Sequence, residues 1–113
     1  YFRRSNHREQ LILHIGPAEE ILDELKVSFD LVFIDAEKKD YIFYYEKALD
    51  ILSPEGYIIV DNVLWYGKVL LPDDHADESA KAIKEFNAHV QNDSRCENVI
   101  LPLRDGLSLI RRK

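Results

Sequence analysis

Two carboxylates stand where apolar runs stop. The run Phe29–Ile34 ends at Asp35, and the run at residues 57–60 ends at Asp61, which Asn62 follows. Lys38 lies three positions beyond Asp35. If the two runs are neighbouring parallel strands, both carboxylates and the Asn62 amide oxygen reach one edge of a sheet. Open α/β sheets gather their ligands outside the carboxyl ends of the strands. Two carboxylates and a carbonyl oxygen, with no His or Cys at matching positions, form a hard, all-oxygen set. Such a set suits Mg²⁺ or Ca²⁺, with water or substrate completing the shell. The plain alternative is that Asp35 and Asp61 cap helices at strand-to-helix junctions, a common duty of Asp. Asn62 directly after Asp61, and Lys38 shortly after Asp35, favour the site over the caps.

The elements that would position these groups alternate between two periods. Residues 11–15 form a short apolar run, read as a strand, and Gly16-Pro17 follows it. Pro suits the first turn of a helix, and Ala18, Ile21, Leu22 and Leu25 recur at helical spacing. Phe29–Ile34 is nearly continuous in apolar character, as a parallel strand buried on both faces would be. Tyr41, Tyr44, Tyr45, Ala48 and Leu52 mark a second helix, which Ser53-Pro54-Glu55-Gly56 is expected to stop. Residues 57–60 are a third strand, and residues 62–75 a long loop of the kind that often carries function. Ala76, Ala80, Ile83, Phe86 and Val90 give a third helix, with its exit at Asn92-Asp93-Ser94. Residues 99–101 and 107–110 are strand-like, and Asp105-Gly106 between them favours a tight hairpin. The fold class expected is α/β: a mostly parallel sheet with a terminal antiparallel hairpin.

Composition narrows the function classes. The chain has 113 residues, a formal charge of −6 and 46% hydrophobic residues, which describes one globular domain without repeats or linkers. No apolar run approaches the roughly 20 residues of a membrane helix, and no signal-peptide pattern opens the chain, so a cytoplasmic location is expected. The single Cys excludes a disulfide framework and a thiolate zinc site. Acidic charge is spread along the chain and no Lys/Arg block exists, so small molecules are expected as partners rather than nucleic acid or membrane. The chain contains no Met, including at position 1, which leads us to expect a partial reading frame.

Phe33-Ile34-Asp35-Ala36-Glu37-Lys38 with Tyr41, Tyr44 and Tyr45, followed by Asp61-Asn62-Val63-Leu64-Trp65 and Gly67, resembles the cation-dependent, S-adenosylmethionine-dependent O-methyltransferases of the caffeoyl-CoA and catechol type. Gly16-Pro17-Ala18, Glu85-Phe86-Asn87 and Asp105-Gly106-Leu107 are also similar to that family. The resemblance spans nearly the whole chain. It implies that Asp35, Asp61 and Asn62 are metal ligands and that Lys38 is the general base. It also implies that Ala18, Glu37 and Tyr44 approach the cofactor, S-adenosylmethionine. Glu37 stands where the family usually has Asp, and Tyr66 where it often has Gly. The family's Gly-rich, acidic cofactor motif lies in an N-terminal half that these residues lack. The resemblance therefore implies that residues 1–113 are the C-terminal half of a doubly wound, Rossmann-like methyltransferase domain. Family members are commonly homodimers, and the apolar Val69-Leu70-Leu71 run could pack on such a partner.

The expected chemistry is methyl transfer to a vicinal-hydroxyl, catechol-like aromatic acceptor. A phenolic hydroxyl has a pKa near that of Tyr, about 10, so ionising it at pH 7 costs roughly 4 kcal/mol. A divalent cation (Mg²⁺, or Ca²⁺ or Mn²⁺) gripping two adjacent oxygens supplies several kcal/mol and orients the acceptor. Lys38 can take the proton only if its own pKa falls. Asp35, Trp65 and Tyr66 are expected beside the acceptor, although a loop Trp serves equally to cap a core edge. Tyr41 and Tyr45 are expected in the core. His7, His14, His75 and His89 share no spacing and no carboxylate partner, Cys96 reads as a semi-exposed bystander, and the acids at 73, 74, 77 and 78 read as a helix entry. Two other classes compete with the enzyme. One is a non-catalytic remnant or partner half-domain. The other is a Rossmann-like nucleotide-binding enzyme such as half of a dehydrogenase, which the Asp61-Asn62 pair and the Lys38 spacing disfavour.

Overall fold

The computed structural model describes residues 4–113. Three helices form, α1 (Ala18–Glu24), α2 (Tyr41–Ile51) and α3 (Glu78–Asn92), with four strands, β1 (Phe29–Ile34), β2 (Leu52–Asp61), β3 (Cys96–Leu101) and β4 (Leu107–Arg112). The strands make one sheet in the order β1-β2-β4-β3. β1 and β2 run parallel, while β2–β4 and β3–β4 are antiparallel. The α/β class and the closing antiparallel hairpin are as expected, with the parallel part carried by the β1–β2 pair.

That pair stands alone because the strand expected at residues 11–15 does not form. The segment is unpaired, and Ile12 and Ile15 are 82% and 89% exposed. An apolar run signals a demand for burial, but a strand also needs a neighbour's backbone to bond to. Among the described residues no strand edge meets this one.

A second departure lies after α2. The helix ends at Ile51 and β2 begins at once with Leu52, so Ser53-Pro54-Glu55-Gly56 falls inside the strand. Pairing jumps from Phe29↔Leu52 to Leu31↔Tyr57, so the intervening residues bulge out. Proline's missing N–H is tolerated at such an irregularity. Gly56 is required by proximity: a Cβ there would lie 2.8 Å from Leu52 Cδ1 and 3.0 Å from the Phe29 carbonyl oxygen.

Alternation along the strands separates two faces. Ile34, Ile58, Val60 and Ile110 point into a core with Tyr41 and Tyr45 of α2 and Ile83, Phe86 and Val90 of α3. Phe86 packs edge-on against Tyr41, with ring centroids 5.5 Å apart, and against Tyr45 at 6.1 Å. Cys96 belongs to this core, at 3% exposure, rather than to the surface. The strand position brings it inward despite its polar neighbours in sequence. The opposite face carries Leu31, Phe33, Tyr57 and Val99, all exposed.

Candidate functional site

The register fixes where the acids go. Ile34 pairs with Val60 in the parallel β1–β2 ladder, so Asp35 and the terminal Asp61 sit side by side at the carboxyl edge of the sheet, where strands lie about 5 Å apart. β4 starts at that same edge, Leu107 pairing with Asp61, and so brings the Asp105-Gly106 turn beside them.

Lys38 ties the edge together. It lies in a single 3-10 turn, Lys38–Asp40, that leads into α2. Its ammonium donates to Asp35 Oδ1 at 3.3 Å, to Asn62 Oδ1 at 3.0 Å and to the Tyr41 hydroxyl at 2.6 Å. The Tyr41 hydroxyl in turn donates to the Asp61 carbonyl at 2.9 Å. Asp61 Oδ1 accepts the Asn62 backbone N–H at 2.7 Å. Asn62 Nδ2 donates to Asp105 Oδ2 at 3.4 Å, leaving its oxygen turned toward Lys38. The structure thus joins Asp35, Lys38, Asn62 and the Asp61 backbone in one connected network, and oxygen donors from both strand ends converge on one positive charge. Asp35 and Asn62 offer oxygens of the hard type a divalent cation takes and both already face a cation, while the Asp61 carboxylate at the adjoining strand end accepts the Asn62 backbone N–H, so the residue types fit the metal the resemblance implies.

The ionisation of Lys38 differs from what a base requires. Burial works to lower its pKa, but the bonds and charges of Tyr41 and Asp35 outweigh that, and the net direction is upward. In this arrangement it is an ammonium that balances the acids. Tyr41 is buried and its pKa is raised, chiefly by loss of water around the phenol, against the lowering influence of Lys38. Sequence reasoning placed Tyr41 only in the core. The signal available was its position three residues after Lys38, one helical turn on, which puts the two on one face.

The segment after Asn62 is held in an unusual backbone form. Asn62, Trp65 and Tyr66 all have positive φ, at 61°, 47° and 54°, as do Gly67 at 76° and Gly106 at 83°. Non-glycine residues in that region are uncommon, and such strain gathers at functional sites. Four anchors hold it. The Val63 N–H donates to the Gly106 carbonyl at 3.2 Å, and the Leu64 N–H to the Asp105 carbonyl at 2.9 Å. The Tyr66 N–H donates to Asp105 Oδ1, and Asn87 Nδ2 of α3 to the Val63 carbonyl at 2.9 Å. Gly106 has no alternative residue here, since a Cβ would stand 2.5 Å from Leu64 Cγ. The Asp105-Gly106 pair therefore works as a brace for this loop within a longer connection from Pro102, instead of the tight hairpin turn its sequence suggests. Asp105 is the second residue that sequence reasoning left out of the site, because Asp-Gly reads first as a turn.

Two hollows flank the acids. One, of about 810 Å³, is lined by Asp61, Asn62, Tyr66, Leu103 and Asp105 among others. The other, of about 330 Å³, is lined by Gly16, Ala18, Ile34, Asp35 and Tyr44. Two of the three residues expected at the cofactor, Ala18 and Tyr44, thus share a hollow with Asp35. Glu37 is exposed and is not among its lining residues. Tyr66 is 80% exposed at the first hollow. Trp65 does both things its residue type allows: it packs on the edge of the core, and its ring lies 5.6 Å from the Lys38 ammonium.

Among the histidines, His7 and His14 lie outside this network and His75 is an exposed neighbour of Asp74. His89, contrary to expectation, has a carboxylate partner: its Nε2 lies 2.8 Å from Glu46 Oε1, brought close by the packing of α2 on α3. Glu46, His89 and Asp93 could offer ligand atoms within 4.8 Å of one another. That place is taken by Arg95, which donates to both Glu46 oxygens at 2.8 and 2.9 Å and to Asp93 Oδ2 at 2.6 Å.

A parallel strand pair with acids at its carboxyl edge, a lysine between them and helices on one face defines an α/β protein with a connected charged cluster at that edge. The chain belongs to the O-methyltransferase family, whose model matches residues 1–113. It is 39% identical over 108 residues to caffeoyl-CoA O-methyltransferase 2 of Zea mays, covering 86% of this chain and 41% of that one. It is 34% identical over 113 residues to catechol O-methyltransferase domain-containing protein 1 of Mus musculus, covering 96% of this chain and 43% of that one. Among solved structures, it is similar to the SAH-bound methyltransferase PaMTH1 of Podospora anserina, at 35% identity and a TM-score of 0.77 over 87% of this chain and 47% of that one. It is also similar to TomG of Streptomyces achromogenes, solved with SAM, at 29% identity and a TM-score of 0.83 over 93% of this chain and 51% of that one. The chain spans about half the length of the curated relatives it matches. Among the described residues no helix is long and apolar enough to cross a membrane.

Proposed function

We propose that this chain supplies the metal and acceptor side of an S-adenosylmethionine-dependent O-methyltransferase that uses a divalent cation and acts on a vicinal-hydroxyl aromatic compound. The observation that carries the reading is the convergence of Asp35 and Asn62 oxygens on one cation, with Asp61 at the adjoining strand end. Asp35, Asp61 and Asn62 would hold the metal. When bound, it supplies Lewis-acid stabilisation to an ionised hydroxyl, which offsets the roughly 4 kcal/mol cost of ionisation at neutral pH.

The chain's own residues divide the remaining tasks. Asp105 orients the Asn62 amide through its Nδ2, so that the oxygen rather than the nitrogen faces the cluster. Tyr41 fixes Lys38 and the Asp61 backbone to each other. Lys38, an ammonium in the network described, would act as a base only without the carboxylate and amide contacts that hold its proton. Ala18 and Tyr44 line the hollow beside Asp35 that suits the cofactor, and Tyr66 borders the opposite one that suits the acceptor. Relatives solved with SAH and SAM support the cofactor. We also assign the protein a homodimeric state, for which the exposed Leu70 and Leu71 of the loop offer apolar surface.

The test is methyl transfer from S-adenosylmethionine to a simple catechol by the intact protein. Activity should require Mg²⁺ or Mn²⁺ and vanish with a chelator. Asp61→Ala should lower it by at least about 100-fold with the fold retained by circular dichroism, more than the effect expected of an outer-shell residue. Full activity in that variant, or in the presence of chelator, would overturn the reading.

A further inference from the structure

Beyond the acids, one carboxylate clasps the loop leading from Asn62 to α3. Asp77 is the N-cap of α3, and its Oδ1 accepts the Ala80 backbone N–H at 2.8 Å. The cap uses only one of the roughly four acceptor sites of the carboxylate. Here the same Oδ1 also accepts the Trp65 indole N–H at 3.2 Å, and Oδ2 accepts the Lys68 ammonium at 2.6 Å. One carboxylate therefore binds the start of α3 to two points, Trp65 and Lys68, of the kinked turn at Trp65–Leu70, whose interior residues Tyr66 and Gly67 are left-handed. Further along, Lys84 of α3 pairs with Asp73 at 2.7 Å and donates to the Leu71 carbonyl, so the outer half of the loop has a separate anchor.

What Asp77 holds is the side chain beside the centre of the site. The Trp65 ring stands 5.6 Å from the Lys38 ammonium and 5.6 Å, centroid to centroid, from the Tyr66 ring, and Tyr66 borders the hollow next to Asp61 and Asn62. Core packing holds one side of the indole, and the bond from its N–H to Asp77 fixes the remaining choice of how the ring is turned beside Lys38 and Tyr66. We infer that Asp77 is a positioning residue for the acceptor: by holding the Trp65 indole and Lys68 together on the α3 N-terminus, it backs the neighbouring Tyr66 ring, the aromatic side of the hollow in which a planar aromatic acceptor lies. This rests on the methyltransferase reading for its consequence in catalysis, while the clasp itself can be tested without it.

Serine separates the clasp from the cap. Asp77→Ser keeps a good N-cap, but its short hydroxyl cannot also reach Trp65 and Lys68. Trp65 is the only Trp of this chain, and its indole cross-peak in a ¹H–¹⁵N spectrum of the intact protein is assigned by its loss in Trp65→Phe. In Asp77→Ser the helix signal should hold and the melting temperature fall by only a few degrees, while the indole N–H shifts and exchanges with solvent roughly five- to tenfold faster, the factor one hydrogen bond carries. KM for a catechol should rise several-fold with kcat changed less, because the wall contributes binding more than chemistry. Asp77→Asn, which keeps an acceptor for the indole and the cap but loses the charge facing Lys68, should leave the indole exchange rate at its wild-type value, and Asp77→Thr, another N-cap with a short hydroxyl, serves in place of serine if that variant does not fold. An indole signal identical in wild type and Asp77→Ser overturns the clasp, and an altered indole signal with unchanged KM overturns its role in acceptor binding. Absence of methyl transfer in the wild type would count against the methyltransferase reading instead, leaving the indole measurement to decide the clasp.

Discussion

Replacing Tyr41 by Phe removes one oxygen from the centre of the network and nothing else. The ring stays in the core, 0% exposed, and keeps its edge-on contact with Phe86. Lost are the donor to the Asp61 carbonyl and the shortest acceptor of Lys38. A neutral hydrogen bond contributes about 1 kcal/mol net, and one to a charged group about 1.5–3 kcal/mol. Lys38 retains Asp35 and Asn62, so we take the low end and expect about 2 kcal/mol in all, roughly 8 °C in melting temperature for a domain of this size. Removing the hydroxyl also removes a main cause raising the Lys38 pKa, which should fall relative to wild type. Urea unfolding of Tyr41→Phe, Lys38→Met and the double variant measures the coupling directly, and about 1 kcal/mol of it should be shared between the two sites. A single-variant loss below about 0.5 kcal/mol with no coupling would refute the idea that this triad holds the edge together.

Two further perturbations follow from the same geometry. Gly106→Ala forces a Cβ to within 2.5 Å of Leu64 Cγ at a φ of +83°, so we expect a loss of about 2–4 kcal/mol in urea unfolding, and a loss under 1 kcal/mol would contradict the close approach. Acid stability should depend on Arg95, whose bonds hold Asp93 well below the usual carboxylate range. Burial works to raise Glu46, but His89 and Arg95 outweigh it and its pKa is lowered. Both groups are depressed in the folded state, so their stabilisation is complete above the unfolded carboxylate value, about 4, and is lost as pH falls from there through the folded values. Arg95→Met should move the acid unfolding midpoint to higher pH, and superimposable acid curves would contradict this.

The acids, their strands and the helices between them were legible because each depends on a local pattern: an apolar run that stops at Asp, or apolar residues at helical spacing. Asp35 and Asp61 share an edge because β1 and β2 are parallel neighbours in register. What the sequence concealed depends on partners distant along the chain. Residues 11–15 look like a strand but meet no edge among the described residues, and Pro54 and Gly56 look like a stop but occupy a bulge. Tyr41 carries a polar duty within a core face, Asp105 is a brace disguised as a turn, and His89 finds Glu46 across a helix interface. A base role requires the Lys38 pKa to fall, and the contacts that hold it up come chiefly from Tyr41 and Asp35, three residues to either side of it.

Manganese bound to the intact protein, followed by the loss of the free Mn²⁺ paramagnetic resonance signal, tests the oxygen rim most directly. We expect saturation at one ion per chain, with binding lost in Asp61→Ala and weakened in Asn62→Leu. Titrations of both variants that match the wild type would place the cation elsewhere and contradict the account.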